Sequence, residues 1–342
     1  MNLIKNLFTI IFSLIVTLIF AEIIFRVFDI GYGNAPLEQS KIYHHAHPKN
    51  YSFLMHDPKG EYGGYKVFYD ESGYRVSSLE DSNFLKKDNK NSIVFIGDSY
   101  TEANQVLYEN SYVKKIGDYF KKNTLNLGVS SYSPAIYLIQ VKRQIVKLKS
   151  NLVVLQVFRN DFSDDIKYLR NATYIDNKLI GIDGGEENYF TSVLRKSYLL
   201  RFLRKSQLLI GQLLQQNNQI INNNINTFYD DISDENLKKT SNLINEIKIE
   251  LNKTNKKLAV FMVPDKTLSQ NEQCCEKDTI YKRFKSEMNE KNIVFLDISK
   301  YFSDFPNQSK LFYLKDIHLT NTGHYILSKA LIEEIQNHFL LK

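Results

Sequence analysis

The sequence predicts an α/β fold in which helices cover both faces of a parallel β-sheet. From residue 92 onward, short apolar runs recur without polar alternation, as expected for strands that are buried on both faces. Segments with apolar residues at helical spacing separate these runs. Strands that alternate with helices along a chain form a parallel sheet, so the second half of the sequence indicates a three-layer α/β/α arrangement.

The composition is that of a globular protein. Of 342 residues, 43% are hydrophobic and 24% are charged, which excludes a disordered chain, a collagen-like repeat and a multi-span membrane protein. The formal net charge is +6, from 44 basic and 38 acidic residues. Because this excess is small for a chain of this length, we expect no nucleic-acid partner.

The N-terminal segment directs the chain to a membrane. Residues 7–21 carry no charge, and the apolar character continues through residue 28 around Glu22 and Arg26, which lie four apart and can pair on one helix face. A secretory signal cleaved after Ala21 is the alternative, but Ile19 then occupies a position that prefers a small residue. We therefore favour an uncleaved single-pass anchor over residues 1–29, with the remaining chain outside the cytoplasm in the cell envelope.

Residues 30–90 form a predicted membrane-proximal extension. Short alternating stretches such as residues 65–69 indicate strands and turns. Four histidines in this segment raise the question of a metal site: His44, His45, His47 and His56. No carboxylate or cysteine stands at a recognisable ligand interval from them, so we predict no metal there.

The α/β domain is predicted over residues 91–342. Its strands are expected at residues 92–96, 125–127, 152–158, 257–263 and 292–296. Its helices are expected at residues 110–122, 134–148, 242–251, 279–288 and 321–338. Pro134 suits the first turn of its helix, where a missing N–H is tolerated.

An insertion at about residues 169–233 interrupts this alternation. Residues 199–214 have an apolar helical pattern, and residues 215–226 are rich in Gln and Asn. A mobile insertion with a polar connector and a lid or partner-binding element both fit this composition. Cys274 and Cys275 are adjacent, which suits neither a metal site nor a staple between distant segments. They are interpreted as incidental thiols, with a vicinal disulfide as the alternative.

Two short motifs carry the predicted chemistry. The strand over residues 93–96 leads directly into Gly97, Asp98 and Ser99, at the end of the strand where open α/β sheets bind ligands. Near the C-terminus, Asp316 and His318 are two apart, and an extended segment would bring them to the same side. A carboxylate beside a histidine that faces a serine is the arrangement of a serine nucleophile with its base.

Four blocks in order resemble the SGNH (GDSL-type) hydrolases, which are serine esterases and acyl-transferring relatives on a flavodoxin-like sheet. The blocks are residues 97–99 (Gly-Asp-Ser), 126–130 (Asn-Leu-Gly-Val-Ser), 158–161 (Phe-Arg-Asn-Asp) and 316–324 (Asp-Ile-His-Leu-Thr-Asn-Thr-Gly-His). The resemblance spans about residue 92 to the C-terminus apart from the insertion. It implies the flavodoxin-like three-layer SGNH hydrolase fold, with an N-terminal transmembrane helix and a helical insertion added.

The resemblance also implies the roles of individual residues. Ser99, His318 and Asp316 would form a catalytic triad, and the oxyanion hole would be made by Ser99, Gly128 and Asn160. No metal or organic cofactor is implied. His324 is interpreted as a structural residue of the last helix.

One block departs from the family pattern, because Phe158 and Arg159 stand where a glycine is usual. Arg159 could narrow the pocket, provide positive charge or face solvent. We interpret the departure as altered specificity, since Asn160 is retained.

The predicted function is that of a membrane-anchored esterase that removes acyl groups, in the first instance acetyl groups, from envelope or extracellular glycans. An O-acyltransferase that uses the same triad in polysaccharide modification is the second hypothesis. A non-catalytic glycan-binding or assembly factor that retains the fold is the third. The sequence does not distinguish water from a sugar hydroxyl as the acceptor, and it identifies no protein partner.

Overall fold

The computed structural model describes residues 2–28, 30, 37–57, 60–81, 91–186, 196–203, 206–207, 210–211, 232–266 and 279–339. The chain divides into two compact units. Residues 1–36, 53–66 and 187–225 form the first unit, and residues 37–52, 67–186 and 226–342 form the second. The predicted boundaries at residues 29, 90, 169 and 233 stay a prediction. Cys274 and Cys275, and the whole of the predicted Gln/Asn-rich tract over residues 215–226, lie outside the described residues.

The strands of the described residues fall in two groups. Those before residue 90 are β1 Glu38–Ser40, β2 His44–Ala46, β3 Tyr51–His56, β4 Gly63–Tyr69 and β5 Arg75–Val76. Those after it are β6 Ile93–Ile96, β7 Thr124–Asn126, β8 Leu152–Val157, β9 Ala172–Ile175, β10 Lys178–Ile182, β11 Lys257–Met262 and β12 Val294–Phe295.

The helices of the described residues comprise an N-terminal helix and those of the α/β unit. They are α1 Asn2–Val27, α2 Ser99–Glu102, α3 Tyr112–Phe120, α4 Pro134–Arg143, α5 Asp161–Leu169, α6 Asp234–Asn252, α7 Thr279–Glu290, α8 Ser299–Ser303 and α9 Asn321–Phe339. A short helical segment over residues 198–203 belongs to the first unit, and we call it the insertion helix.

The central sheet of the second unit has five parallel strands in the order β7-β6-β8-β11-β12. Numbered along the chain within this sheet, the order is 2-1-3-4-5, that of the flavodoxin-like doubly wound folds. β6 pairs with β8 through Ile93↔Leu152 and with β7 through Ile93↔Thr124. The predicted fold class is therefore confirmed.

Burial explains why the central strands are so apolar. Every residue of β6 and β8 is buried, because helices cover both faces of the sheet. Gln156 is the polar residue of β8, and its Oε1 accepts hydrogen bonds from the Asp98 N–H at 3.0 Å and from Thr101 Oγ1 at 3.0 Å. A polar side chain in this core thus fixes the turn that follows β6.

Two apolar cores lie on opposite faces of the sheet. One contains side chains of α4, α6 and α7, among them Ile136, Ile244 and Phe284. The other contains side chains of α3 and α9, among them Ile116 and Leu331. These two cores give the α/β/α layering predicted from the alternation of strands and helices.

Some boundaries differ from the sequence prediction for local reasons. α6 begins at Asp234 instead of residue 242, because Ser233 caps it by accepting a hydrogen bond from the Asn236 N–H at 3.2 Å. α4 ends at Arg143, and a short 3₁₀ turn over Ile145–Lys147 replaces its last predicted turn. The predicted insertion begins with the β9–β10 hairpin, which is antiparallel.

The N-terminal helix is long and apolar enough to cross a membrane. Residues Ile4–Val27 have a mean hydropathy of 2.6 in their best window, and none of that window is buried. The length exceeds the roughly 20 residues that a bilayer span needs. A membrane anchor and a signal sequence both have these properties.

Candidate active site

The turn after β6 presents Ser99 at the carboxyl edge of the sheet. Asp98 caps α2, because its Oδ1 accepts a hydrogen bond from the Tyr100 N–H at 2.8 Å. A Cβ on Gly97 would lie 2.0 Å from Thr101 Oγ1 and 2.4 Å from Gln156 Oε1. The turn therefore requires glycine at position 97, and it leaves Ser99 half-buried at the start of α2.

Ser99, His318 and Asp316 form a hydrogen-bonded series. His318 Nε2 lies 2.7 Å from Ser99 Oγ, and His318 Nδ1 lies 2.5 Å from Asp316 Oδ1. The same Asp316 oxygen accepts the His318 N–H at 2.8 Å. Because a carboxylate only accepts, His318 carries its proton on Nδ1, and Nε2 is left as the acceptor for the serine hydroxyl.

Four contacts hold the loop that carries Asp316 and His318. Tyr100 donates its hydroxyl to the Ile317 carbonyl at 2.8 Å, so α2 and the loop are joined directly. Lys266 Nζ donates to the carbonyls of Leu314 and Asp316 at 2.7 and 3.0 Å. The Tyr100 ring also lies 5.1 Å from the His318 ring. These contacts restrict the orientation of the imidazole relative to Ser99.

The two other residues predicted for the oxyanion hole are engaged within their own loops. The Gly128 N–H donates to Asn126 Oδ1 at 3.0 Å, which occupies its single hydrogen. A Cβ on Gly128 would lie 2.4 Å from the Glu102 N, so glycine here permits close packing against α2. Asn160 Nδ2 donates to Asp164 Oδ2 at 2.6 Å and retains its second hydrogen.

Ser131 is a residue of this edge that the sequence did not single out. Its φ is 64°, in the left-handed region that non-glycine residues seldom adopt. Its carbonyl accepts the Tyr168 hydroxyl at 2.5 Å, and its N–H has no hydrogen-bond partner among the described residues. The loop after β7 thus offers an open N–H three residues beyond Gly128. Arg159 is half-buried.

His45 of the extension makes hydrogen bonds to the loop after β7. His45 Nε2 lies 2.8 Å from the Ser130 carbonyl, and the His45 carbonyl accepts the Tyr132 hydroxyl at 2.6 Å. Since a carbonyl only accepts, His45 carries its proton on Nε2. No group of three or more His, Cys, Asp or Glu that could hold a metal occurs within the described residues.

Glu102 links α2, the extension and the loop after β7. It is fully buried, and His47 Nε2 lies 2.8 Å from its Oε1. The same oxygen accepts the Tyr69 hydroxyl at 2.6 Å, and its Oε2 accepts the Ser130 N–H at 2.8 Å. Burial acts to raise the pKa of Glu102, but His47 and the hydrogen bonds outweigh burial and lower the pKa to about 2. Glu102 is therefore a buried carboxylate that stays ionised.

Three carboxyl groups next to the site are buried: Asp98, Asp161 and Asp165. Burial raises the pKa of Asp98 to about 6, against the opposing effect of His318. Burial also raises the pKa of Asp165 to about 6, although its oxygens accept hydrogen bonds from the Ser133 and Thr240 hydroxyls. The pKa of Asp161 is raised well above its usual range by burial and by Asp98. On acidification these carboxyl groups bind protons more readily in the folded than in the unfolded state, which stabilises the fold, whereas His45, whose pKa burial lowers, has the opposite effect on stability.

We expect His45→Gln to change how stability depends on pH. Burial lowers the pKa of His45 to about 4, from an ordinary value of about 6.5. The neutral ring therefore contributes stability above pH 6.5 that is lost as the pH falls towards 4, by about 3 kcal/mol in full. Gln can still donate to the Ser130 carbonyl but does not titrate. The loss of stability in the variant should be largest at pH 7.5 and smaller at pH 4.5.

Melting temperatures of wild type and variant across this pH range would check the expectation. Asp98 and Asp165 titrate in both proteins, so their effects cancel in the difference. A difference that does not change with pH would contradict a neutral buried His45.

Comparison with known proteins supports the resemblance drawn from the four blocks. Residues 226–342 match the family model described as the SGNH hydrolase-like domain of the acetyltransferase AlgX. No curated protein matches the chain. The matched region contains Asp316 and His318 and ends with the chain, whereas Ser99, Gly128 and Asn160 lie outside it.

Several solved structures are similar at low sequence identity. A lipolytic protein of the G-D-S-L family from Desulfitobacterium hafniense is 13% identical with a TM-score of 0.43, covering 72% of this chain and 99% of that one. An acetylxylan esterase from Geobacillus stearothermophilus is 14% identical with a TM-score of 0.40, covering 72% and 96%. A lipase/acylhydrolase from Enterococcus faecalis is 10% identical with a TM-score of 0.43, also covering 72% and 96%.

The family match and the sheet topology agree with the sequence prediction. The strand order is flavodoxin-like, and Ser99 stands at the end of its first strand. Over residues 226–342, the chain is similar to an SGNH hydrolase-like domain. The resemblance predicted from the four sequence blocks is therefore confirmed.

Proposed function

We propose that this protein is a membrane-anchored serine enzyme that transfers acyl groups through Ser99, with acetyl esters of envelope or extracellular glycans as substrates. One observation carries the proposal. His318 Nε2 lies 2.7 Å from Ser99 Oγ, and His318 Nδ1 lies 2.5 Å from Asp316 Oδ1. This is the geometry in which a histidine acts as general base for a serine nucleophile.

The first half of the reaction acylates the serine. His318 Nε2 accepts the hydroxyl proton as Ser99 Oγ forms a bond to the ester carbonyl carbon, and the carbonyl oxygen becomes an oxyanion. The tetrahedral intermediate collapses when the bond to the alkoxy oxygen breaks, and His318 returns its proton to that oxygen. The alcohol leaves, and an acyl-Ser99 ester remains. Asp316 stabilises the imidazolium that forms between the two proton transfers.

The second half of the reaction releases the acyl group. His318 removes a proton from water or from a sugar hydroxyl, whose oxygen attacks the acyl-Ser99 carbonyl, and the proton then passes to Ser99 Oγ. Water as acceptor gives an esterase, which is the function predicted first from the sequence. A sugar hydroxyl gives an O-acetyltransferase, and the match to a domain described for an acetyltransferase favours this second candidate.

Three N–H groups support stabilisation of the oxyanion. The Ser99 N–H lies at the start of α2, and the Asn160 amide retains one hydrogen beyond the one given to Asp164. The loop after β7 supplies the third. The Gly128 N–H, the third predicted donor, gives its hydrogen to Asn126 Oδ1 at 3.0 Å and would have to leave that acceptor to reach the oxyanion. Such donors are most effective when they are fixed before the reaction begins.

The acceptor can be identified from the reaction products. The full chain in detergent or nanodiscs would be incubated with an acetylated p-nitrophenyl ester, with and without an oligosaccharide acceptor, and acetate and acetylated sugar would be measured. Acetate in both reactions supports hydrolysis. Formation of acetylated sugar when the acceptor is added supports transfer. Failure of wild type to release p-nitrophenol under either condition would favour the third hypothesis, a binding or assembly role.

We expect Asn160→Ala to lower kcat by roughly 10²–10³-fold, with little change in KM, as for loss of one oxyanion donor. Asn160 precedes α5 but makes no side-chain hydrogen bond to the helix backbone, so its removal should cost little stability. Asn252→Ala is the matched control, since Asn252 is the exposed last residue of α6. Steady-state kinetics and melting temperatures would check both variants. A wild-type kcat in Asn160→Ala would remove Asn160 from the oxyanion hole.

A further inference from the structure

The insertion helix begins against the C-terminal part of α1. Glu22 accepts three hydrogen bonds at the start of this helix: from Ser197 Oγ, just before it, at 2.7 Å, and from the Tyr198 and Leu199 N–H groups at 3.1 and 2.9 Å. These N–H groups belong to its first turn, which lacks acceptors within the helix. Glu22 therefore caps a helix that lies about 175 residues away in the chain.

Arg26 and Phe25 add to this attachment. Arg26 pairs with Glu22 at 2.7 Å, donates to the Lys196 carbonyl at 3.0 Å and lies over the Tyr198 ring, 5.1 Å from its centroid. The Phe25 and Phe202 rings meet edge to face with centroids 5.0 Å apart. A charged cap, a cation–π contact and an aromatic pair thus fix the insertion helix to one end of α1.

The position of this attachment on α1 fixes its depth. The apolar stretch of α1 ends at Val27, and Glu22 lies five residues before that end, or about 7.5 Å along the helix axis at a rise of 1.5 Å per residue. If α1 spans a bilayer, its 24 apolar-stretch residues cover about 36 Å against a hydrocarbon layer of about 30 Å, so Glu22 lies within about 5 Å of the edge of that layer. The insertion helix then lies at the same depth.

The insertion helix has the composition of an interfacial helix. Leu200, Phe202 and Leu203 of this helix are exposed apolar side chains, at 38%, 36% and 52%, and Ile210 beyond its end is 57% exposed. The surrounding sequence carries basic residues at positions 195, 196, 201, 204 and 205, and no Asp or Glu occurs between residues 188 and 229. Apolar and basic side chains together are typical of helices that bind the surface of anionic bilayers.

We propose that the insertion helix is a second membrane contact, which lies in the interface of an anionic lipid bilayer beside α1. This inference rests on the membrane-anchored state in the proposed function, but not on the catalytic activity. It changes the lid hypothesis for the insertion, because the insertion helix is attached to the anchor. The competing hypothesis is that a protein partner binds the same apolar side chains.

The absence of tryptophan from the sequence permits a direct test. Single tryptophans would be placed in the full chain by Phe202→Trp in the insertion helix, Phe12→Trp in the middle of α1 and Tyr119→Trp on α3. Phe12 and Tyr119 are 58% and 55% exposed, so both replacements are tolerated sterically. Each variant would be reconstituted in nanodiscs with and without brominated acyl chains, and tryptophan quenching would be measured.

We expect quenching of Phe202→Trp and Phe12→Trp, but not of Tyr119→Trp. We also expect stronger quenching of Phe202→Trp in phosphatidylglycerol than in phosphatidylcholine nanodiscs. Quenching of Phe12→Trp alone would overturn the inference and leave the anchor intact, whereas no quenching of either would overturn the anchor itself. Equal quenching of Phe202→Trp and Tyr119→Trp, or equal quenching in the two lipids, would also contradict an anionic interfacial helix.

Discussion

Ser99→Ala is expected to abolish turnover of an activated acetyl ester, with a loss in kcat on the order of 10⁴–10⁶-fold. The substitution removes the oxygen that would become acylated and leaves His318 without its 2.7 Å partner. The fold should be unaffected, because Ser99 is half-buried and no core cavity opens. The free energy of unfolding should change by less than about 1 kcal/mol.

His318→Ala and the double variant make this prediction sharper. Residues that act as one unit lose activity together, so the double variant should be about as impaired as either single variant. Ser309→Ala, at an exposed serine far along the chain, controls for general effects of removing a hydroxyl. Wild-type rates in Ser99→Ala would refute the nucleophile, and the binding or assembly role would then become the leading hypothesis.

The parts of the site that are local in sequence could be predicted from the sequence. Gly97, Asp98 and Ser99 follow a buried strand directly, and the turn depends on contacts within a few residues. Asp316 and His318 are two apart, and their pairing needs only an extended segment between them. The order of the five strands follows from the alternation of strands and helices and the flavodoxin-like resemblance.

The parts of the site that depend on long-range contacts could not be predicted. His45 and His47 invited a metal hypothesis because their partners, Ser130 and Glu102, are more than fifty residues away. Glu102 itself carried no motif. The hydrogen bond that occupies the Gly128 N–H depends on the rotamer of Asn126, and the positive φ of Ser131 has no signal in its residue type. The attachment of the insertion helix to Glu22 could not be predicted either, because the two segments are about 175 residues apart in the chain.

The network around Glu102 suggests how the extension contributes to the site. Glu102 ends the helix that begins with Ser99, and its Oε2 accepts a hydrogen bond from the Ser130 N–H of the loop after β7. His45 holds the carbonyl of the same residue at 2.8 Å. Ser99 and the loop after β7 are therefore positioned against each other by a buried carboxylate whose partners come from β4 and from the segment after β2.

Glu102→Gln is accordingly expected to impair both stability and catalysis. An amide cannot accept on its nitrogen, so at least one of the donors from His47, Tyr69 and Ser130 is left unpaired in the core. Leaving such a buried donor without its acceptor costs about 1–3 kcal/mol. Movement of the loop by about 1 Å would lower kcat by roughly 10²-fold, and KM should change much less. Denaturant unfolding and steady-state kinetics on the activated ester would measure both effects.

Glu109→Gln is the matched control for Glu102→Gln, because Glu109 is exposed and lies in the turn that follows α2. It should leave stability and kcat unchanged. Tyr69→Phe removes one donor to Glu102 and keeps the charge, so it should fall between wild type and Glu102→Gln in stability. A Glu102→Gln variant as stable and active as Glu109→Gln would show that the buried carboxylate does not position the site. Equal losses of stability in Tyr69→Phe and Glu102→Gln would assign the effect to packing, because only the second removes the charge that faces His47.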